Sequence, residues 1–156
     1  MRVLLVNPGS QLPIDTRTSP SLGLAYLAAV SEQREDQVRI YDGDVQAAPL
    51  ADLLRNWQPH LVGITANTTQ ITAAWRDAAL TRQLCKAVII LGGPHPTALP
   101  EESAARDDID VVVRSEGEAT WEELSDRIDA KGWDTAEQWL DDLLTLADAA
   151  ERIINS

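Results

Sequence analysis

The sequence predicts an α/β domain, a Rossmann-like (flavodoxin-like) three-layer sandwich around a five-stranded parallel sheet of order 2-1-3-4-5. Three observations predict it. Short apolar runs at Val3–Val6, Val38–Tyr41, Leu61–Thr65, Ala87–Leu91 and Val111–Val113 are rich in Val, Ile and Leu and too short for buried helices, as strands covered on both faces are. Helical spacing fills the intervals between them, and such alternation implies parallel strands joined by right-handed crossovers. The length, 156 residues, suits one domain.

Each helix has a local reason. Ser19 as cap and Pro20 at the first helical position start the first, with Leu22, Tyr26 and Val30 on one face. Leu50, Leu53 and Leu54 mark the second, and Ile71, Trp75 and Ala78 the third. Pro100 with Glu101 and Glu102 starts a short fourth, its acids placed where the helix dipole favours them. Thr120 and Glu123 have capping-box spacing for a fifth, which buries Trp121, Leu124 and Ile128 and ends at Gly132. The domain is expected over 1–131, followed by a C-terminal helical extension over 132–156. That extension carries a stripe of Trp139, Leu140, Leu143, Leu144, Ala147, Ala150 and Ile154, which packs on its own domain or docks a partner.

Composition narrows the function. Thirteen Lys and Arg against 25 Asp and Glu give a net charge of −12 with no basic cluster, so nucleic acid and anionic membranes are poor partners. At 44% hydrophobic and 24% charged residues, wholesale disorder is excluded. The single cysteine, Cys85, rules out an internal disulfide or a multi-thiolate metal site and reads as a small buried hydrophobe suited to a reducing compartment. No apolar stretch approaches the ~20 residues that cross a bilayer, and Met1-Arg2 runs directly into the first strand without a leader. The expectation is a soluble, cytoplasmic domain, monomeric in isolation.

Ligands of doubly wound sheets bind at the carboxyl ends of the strands, near the switch point between strands one and three. Asn7-Pro8-Gly9-Ser10 after the first strand is neither G-x-G-x-x-G nor a P-loop, so dinucleotide and triphosphate binding have no support. A phosphoacceptor domain would need an Asp where Thr65 ends strand three. The next residues, Ala66-Asn67-Thr68-Thr69-Gln70, either bind a polar ligand or cap a helix through Thr68 or Thr69. After strand four, Gly92-Gly93-Pro94-His95-Pro96-Thr97 combines glycines that admit a close backbone approach with prolines that fix the loop's course, and reads as a ligand-binding loop. Arg114-Ser115-Glu116-Gly117-Glu118 brings polar groups to the same edge after strand five.

Five segments in one order, Leu-Leu-Val-Asn-Pro at 4–8, Ser-Leu-Gly-Leu-Ala-Tyr-Leu at 21–27, Val-Gly-Ile-Thr at 62–65, Leu-Gly-Gly-Pro-His-Pro-Thr at 91–97 with Pro-Glu-Glu at 100–102, and Glu-Gly-Glu-Ala-Thr at 116–120, carry a resemblance. Over about residues 1–130 the chain resembles the N-terminal cobalamin-binding domain of the B12-dependent radical SAM enzymes. Gly-Gly-Pro-His-Pro-Thr followed by Glu-Gly-Glu is the most specific part. Gly9 and Ser115 depart from it, standing where proline and glycine are usual.

The resemblance implies cobalamin held across the strand ends, base-off, with its dimethylbenzimidazole tail in the Rossmann-like core. It implies cofactor contacts from Asn7, Pro8, Leu22, Gly23, Asp42, Thr65, Asn67, Thr68, Thr69, Gln70, Gly92, Gly93, Pro94, His95, Pro96, Thr97, Glu116, Gly117 and Glu118. Carriers with a histidine on cobalt place it in D-x-H-x-x-G after strand one, a motif absent here. His60 lies at the opposite pole, and His95 lies in the loop that meets the nucleotide side, so no protein histidine on cobalt is expected. The residue facing the metal is expected from Ala66–Gln70. A backbone lying against the cofactor at Gly92 and Gly93 would make Gly93→Val lose cobalamin while still folding. A radical SAM barrel needs C-x-x-x-C-x-x-C for its [4Fe–4S] cluster and S-adenosylmethionine, which this chain lacks, so that barrel is expected in a partner domain or chain. Catalysis by this chain alone is not expected. The alternative is a non-catalytic cobalamin carrier or sensor; a flavin or nucleotide domain is disfavoured for want of a phosphate loop.

Overall fold

The expected strands are all present: β1 (Arg2–Asn7), β2 (Gln37–Asp42), β3 (Leu61–Thr65), β4 (Val88–Gly92) and β5 (Val111–Arg114). The computed structural model describes residues 1–10, 21–115, 117–131 and 153–155. The five strands pair in parallel in the order β2-β1-β3-β4-β5, and a short β6 (Ile153–Asn155) adds parallel to β5. Ile154 is therefore a strand residue and not part of a helical stripe; its β-branched run caps the free edge of β5. The rest of the expected sixth helix lies outside the described residues.

Helices α1 (Leu22–Gln33), α2 (Leu50–Trp57), α3 (Ile71–Leu84), α4 (Pro94–Ala98), α5 (Pro100–Ala104) and α6 (Glu118–Lys131) complete the alternation. Alternate residues of the central strands feed two cores. Leu4, Val6, Val62, Ile64, Ile89 and Leu91 pack beneath α2, α3 and α5, and Val3, Leu5, Leu61, Val88, Ile90 and Val113 pack beneath α1 and α6. Burying each such Leu contributes roughly 1.5–3 kcal/mol before entropic costs. The edge strand β2 is covered only in part: Arg39 and Ile40 are exposed, and Arg39 stacks over Trp57 at 4.7 Å.

Three expected helix details differ. Ser21, not Ser19, caps α1 by accepting from the Leu24 N–H (3.5 Å), and Pro20 lies outside the described residues. The buried face of α1 is Leu24, Ala28 and Ser31, while Leu22 and Tyr26 are 67% and 54% exposed. That helix is apolar nearly all round, so spacing alone did not select its inner face; small residues at the contact let it lie close to the sheet. Helix α6 begins at Glu118 with the Gly117 carbonyl accepting from Trp121 N–H (2.7 Å), which puts Thr120 inside the helix and not at its cap. Gly132 lies outside the described residues.

Candidate functional site

At the carboxyl ends of the strands, side-chain amides lock the loops together. Gln70 is 3% exposed and donates from Nε2 to Asn7 Oδ1 (2.9 Å) and to the Pro8 carbonyl (2.7 Å). Asn7 is likewise buried and donates from Nδ2 to Asp42 Oδ2 (3.1 Å). These bonds close the switch point between β1 and β3 and tie together Asn7, Asp42 and Gln70, all three expected at the site. Asn67 Oδ1 organises the turn that leads into α3, accepting from the backbone N–H groups of Thr69 (2.9 Å) and Gln70 (3.1 Å) and from Thr69 Oγ1 (2.7 Å); Gln70 holds the N-cap position, and no side chain, of Thr68, Thr69 or any other residue, makes a cap bond to the helix. Asparagine reaches its own backbone two and three residues on, the geometry of an Asx-turn.

The segment after β4 is not a loop but one turn of helix, α4, with Pro94 and Pro96 tolerated in its first turn. Gly93 has φ +106° and ψ −175°, a region essentially closed to other residues. A Cβ there would meet Ala66 O and Thr65 Oγ1 at 2.8 Å and Ala66 N at 2.9 Å. Gly93 therefore serves the fold itself, bringing α4 against the loop after β3, and the expectation that Gly93→Val would fold normally is corrected. Thr97 is also framework: its Oγ1 accepts from the Ser115 N–H (3.0 Å) and its carbonyl from Arg114 Nε (3.3 Å). Ser115 has φ +65°, which accounts for glycine being usual at that place in the resemblance. Glu116 lies outside the described residues.

Beside this framework a cleft of about 140 Å³ opens between α1 and α6, above β3, β4 and β5. Gly23, Thr65, Gly92, Gly93, Gly117 and Glu118, all expected at the site, line its mouth and sides. Its floor and walls were not expected: Leu24, Leu27, Ile64, Ile90 and Val113, with Gly63 and Trp121 at the base. A Cβ on Gly63 would meet the Trp121 ring at 2.8 Å, so glycine inside a strand is what lets the indole lie on the sheet. Trp121 Nε1 donates to the buried Ser31 hydroxyl (2.9 Å), fixing the ring. Gly92 differs from its neighbour: a Cβ there meets nothing nearer than Val113 O at 3.6 Å, and at Gly23 it meets nothing within 4 Å. Leu22 and Pro94 are exposed, Pro8 and Pro96 are buried, and none of the four lines the cleft.

Residues 16–125 match the family described as the B12 binding domain. The chain belongs to the B12-binding domain family. It is 38% identical over 136 residues to a protein of Pyrococcus horikoshii named as an uncharacterized methyltransferase, PH0819, a match covering 82% of this chain and 29% of that one. The fold of this B12-binding domain is shared with the radical S-adenosylmethionine methyltransferase TsrM from Kitasatospora setae, solved with cobalamin and a [4Fe–4S] cluster (TM-score 0.70, 22% identity, 83% of this chain and 24% of that chain). It is shared too with the cobalamin-dependent S-adenosylmethionine radical enzyme OxsB, solved with aqua-cobalamin (TM-score 0.64, 20% identity, 81% and 19%). The chain thus spans under a third of the length of each of these proteins.

The residues of this B12-binding domain fit its namesake ligand. Gly23, Gly92 and Gly117, where an added Cβ would meet nothing within 3.5 Å, and aliphatic walls beside one indole make a slot that suits a flat apolar group. No group of three or more His, Cys, Asp or Glu that could hold a bare metal ion occurs among the described residues. His60 accepts the Arg2 N–H on Nδ1 (3.1 Å) at the opposite pole, and its pKa is lowered by burial and by the Arg2 charge. Cys85 is buried and its thiol pKa is pushed up by desolvation, as for an inert core thiol. Among the described residues no helix is long and apolar enough to cross a membrane.

Proposed function

We propose that this domain holds cobalamin base-off, without a protein histidine on cobalt, for a radical SAM methyltransferase-type enzyme whose catalytic barrel is supplied outside this chain. The glycine-lined apolar cleft between α1 and α6 carries the reading. A benzimidazole seated in this cleft would be held away from a corrin ring lying across the strand ends, so the cleft would favour the base-off form. Leu24, Leu27, Ile90 and Val113 would exclude water from the tail, Gly23 and Gly92 would leave it room, and the exposed Thr68 and Thr69 would be left for the corrin. Bound cobalamin would supply cobalt-centred methyl transfer. The relatives' printed descriptions, a methyltransferase and two radical S-adenosylmethionine enzymes, support the partner: a barrel carrying the [4Fe–4S] cluster and S-adenosylmethionine. In isolation the chain is then a cytoplasmic, monomeric cofactor module with no catalytic residue of its own.

The test is to mix the protein with hydroxocobalamin, desalt it, and record the visible spectrum, then the EPR spectrum after reduction to Co(II). One corrinoid should remain per chain, and the Co(II) signal should lack nitrogen superhyperfine splitting. Loss of all corrinoid on desalting overturns the reading, and retention with nitrogen splitting overturns its base-off part.

A further inference from the structure

His95 is 6% exposed, yet it stands directly under the exposed loop that follows β3. Its backbone N–H donates to the Ala66 carbonyl (3.1 Å), and both ring nitrogens are engaged. Nε2 lies 3.0 Å from Glu102 Oε1, and Nδ1 lies 3.3 Å from the Thr68 hydroxyl. With Glu102 accepting as a carboxylate and the imidazole neutral, the ring proton belongs on Nε2. In the neutral imidazole Nδ1 must then accept, and the Thr68 hydroxyl donates inward to it. The hydroxyl's proton is thereby turned into the protein and its lone pairs are turned out.

Within the same loop the other polar side chains have different tasks. Asn67 Oδ1 accepts from the backbone of the turn before α3, Thr69 Oγ1 donates to Asn67, and Gln70 is buried against Asn7 and Pro8. Thr68 is the exposed residue of this loop whose hydroxyl is aimed by a buried ring. We propose that Glu102 and His95 act as positioning residues that present Thr68 as a hydrogen-bond acceptor to an N–H or O–H donor of the bound corrinoid. This rests on the cobalamin-binding reading and specifies which loop residue meets the ligand. Two donors share that chemistry: a side-chain amide of the corrin, and a water on cobalt.

The experiment uses the full chain and hydroxocobalamin, with thermal unfolding as a check on each variant. Long-range 1H–15N spectra of the apo protein should show His95 protonated at Nε2 and bare at Nδ1; a proton on Nδ1 overturns the proposal whatever the variants do. Thr68→Ser should bind as wild type, whereas Thr68→Val should bind about five- to tenfold more weakly, as for loss of one hydrogen bond. His95→Phe should weaken binding to the same degree, and the double variant no further, because the ring acts through the hydroxyl. An altered cobalt spectrum in Thr68→Val assigns the donor as the axial water, and an unaltered spectrum with weaker binding assigns it as a corrin amide; both support the proposal. Wild-type affinity in Thr68→Val, or additive losses in the double variant, overturn this inference alone. Failure of the wild-type chain to retain cobalamin overturns it together with the reading beneath it.

Discussion

Gly93→Ala isolates how the ligand-binding edge is built. The residue sits at φ +106° and ψ −175°, and forcing a side chain into that region costs about 1–3 kcal/mol. The added methyl would also stand 2.8–2.9 Å from the Ala66 carbonyl oxygen and nitrogen, which are backbone and cannot swing aside. Relief requires parting the β3 and β4 loops, at the expense of the Ala66 N–H to Gly92 carbonyl bond (3.0 Å) and the His95 N–H to Ala66 carbonyl bond (3.1 Å). At roughly 0.5–1.5 kcal/mol each, these bring the total to about 2–6 kcal/mol. For a domain of this size that corresponds to a fall in Tm of about 5–20 °C. Urea unfolding and calorimetry of the ligand-free protein measure it, so cofactor loss cannot mimic the effect. A ligand-free Gly93→Ala chain within about 0.5 kcal/mol of wild type would refute the account of this turn.

Gly92→Val should do the reverse: its Cβ meets nothing closer than 3.6 Å, so stability should hold to within about 1 kcal/mol while the branched side chain fills the cleft and abolishes cobalamin retention on desalting. Ser115→Gly relieves a non-glycine φ of +65°; after the entropy glycine adds to the unfolded chain, a gain of about 0.5–1 kcal/mol is expected in urea unfolding. Asp77, on α3, is raised from 3.8 to about 6 by desolvation, against a smaller lowering by Arg76. Its folded form thus holds a proton that the unfolded form has released, so stability should fall as pH rises from about 4 to about 6. Asp77→Asn should flatten that slope, stabilising the protein at pH 7 and leaving it unchanged near pH 3.

The strands and their order were legible because buried parallel strands leave continuous aliphatic runs, and Leu61–Thr65 is observed with the very bounds expected. The inner face of α1 was not, because Leu22, Leu24, Tyr26, Ala28 and Val30 offer apolar residues in every direction and the choice is made by packing against the sheet. Site residues divided in the same way. Glycines at 23, 92, 93 and 117 announced the cleft's rim, but its walls come from residues whose spacing also reads as ordinary core, such as Ile90 and Val113. Gly63 was the available signal, an interior strand glycine with no turn to explain it. Asn7, Asp42 and Gln70, expected at the site, are hydrogen-bonded to one another, a set of partners that only three-dimensional proximity reveals.

The base of the cleft is itself a chromophore. Trp121 rests on Gly63 and is pinned to Ser31, while Trp57 and Trp75 belong to the opposite face of the sheet. An aromatic group entering the slot would stack beside an indole that is already dry and unable to rotate, so there is little solvent relaxation left for it to change. Occupancy would instead register as lost light: a strongly absorbing ligand within contact range drains the excited indole directly. The residue that lets α6 close on the sheet would thus double as an intrinsic optical gauge of filling, readable without a label and at protein concentrations too dilute for absorbance.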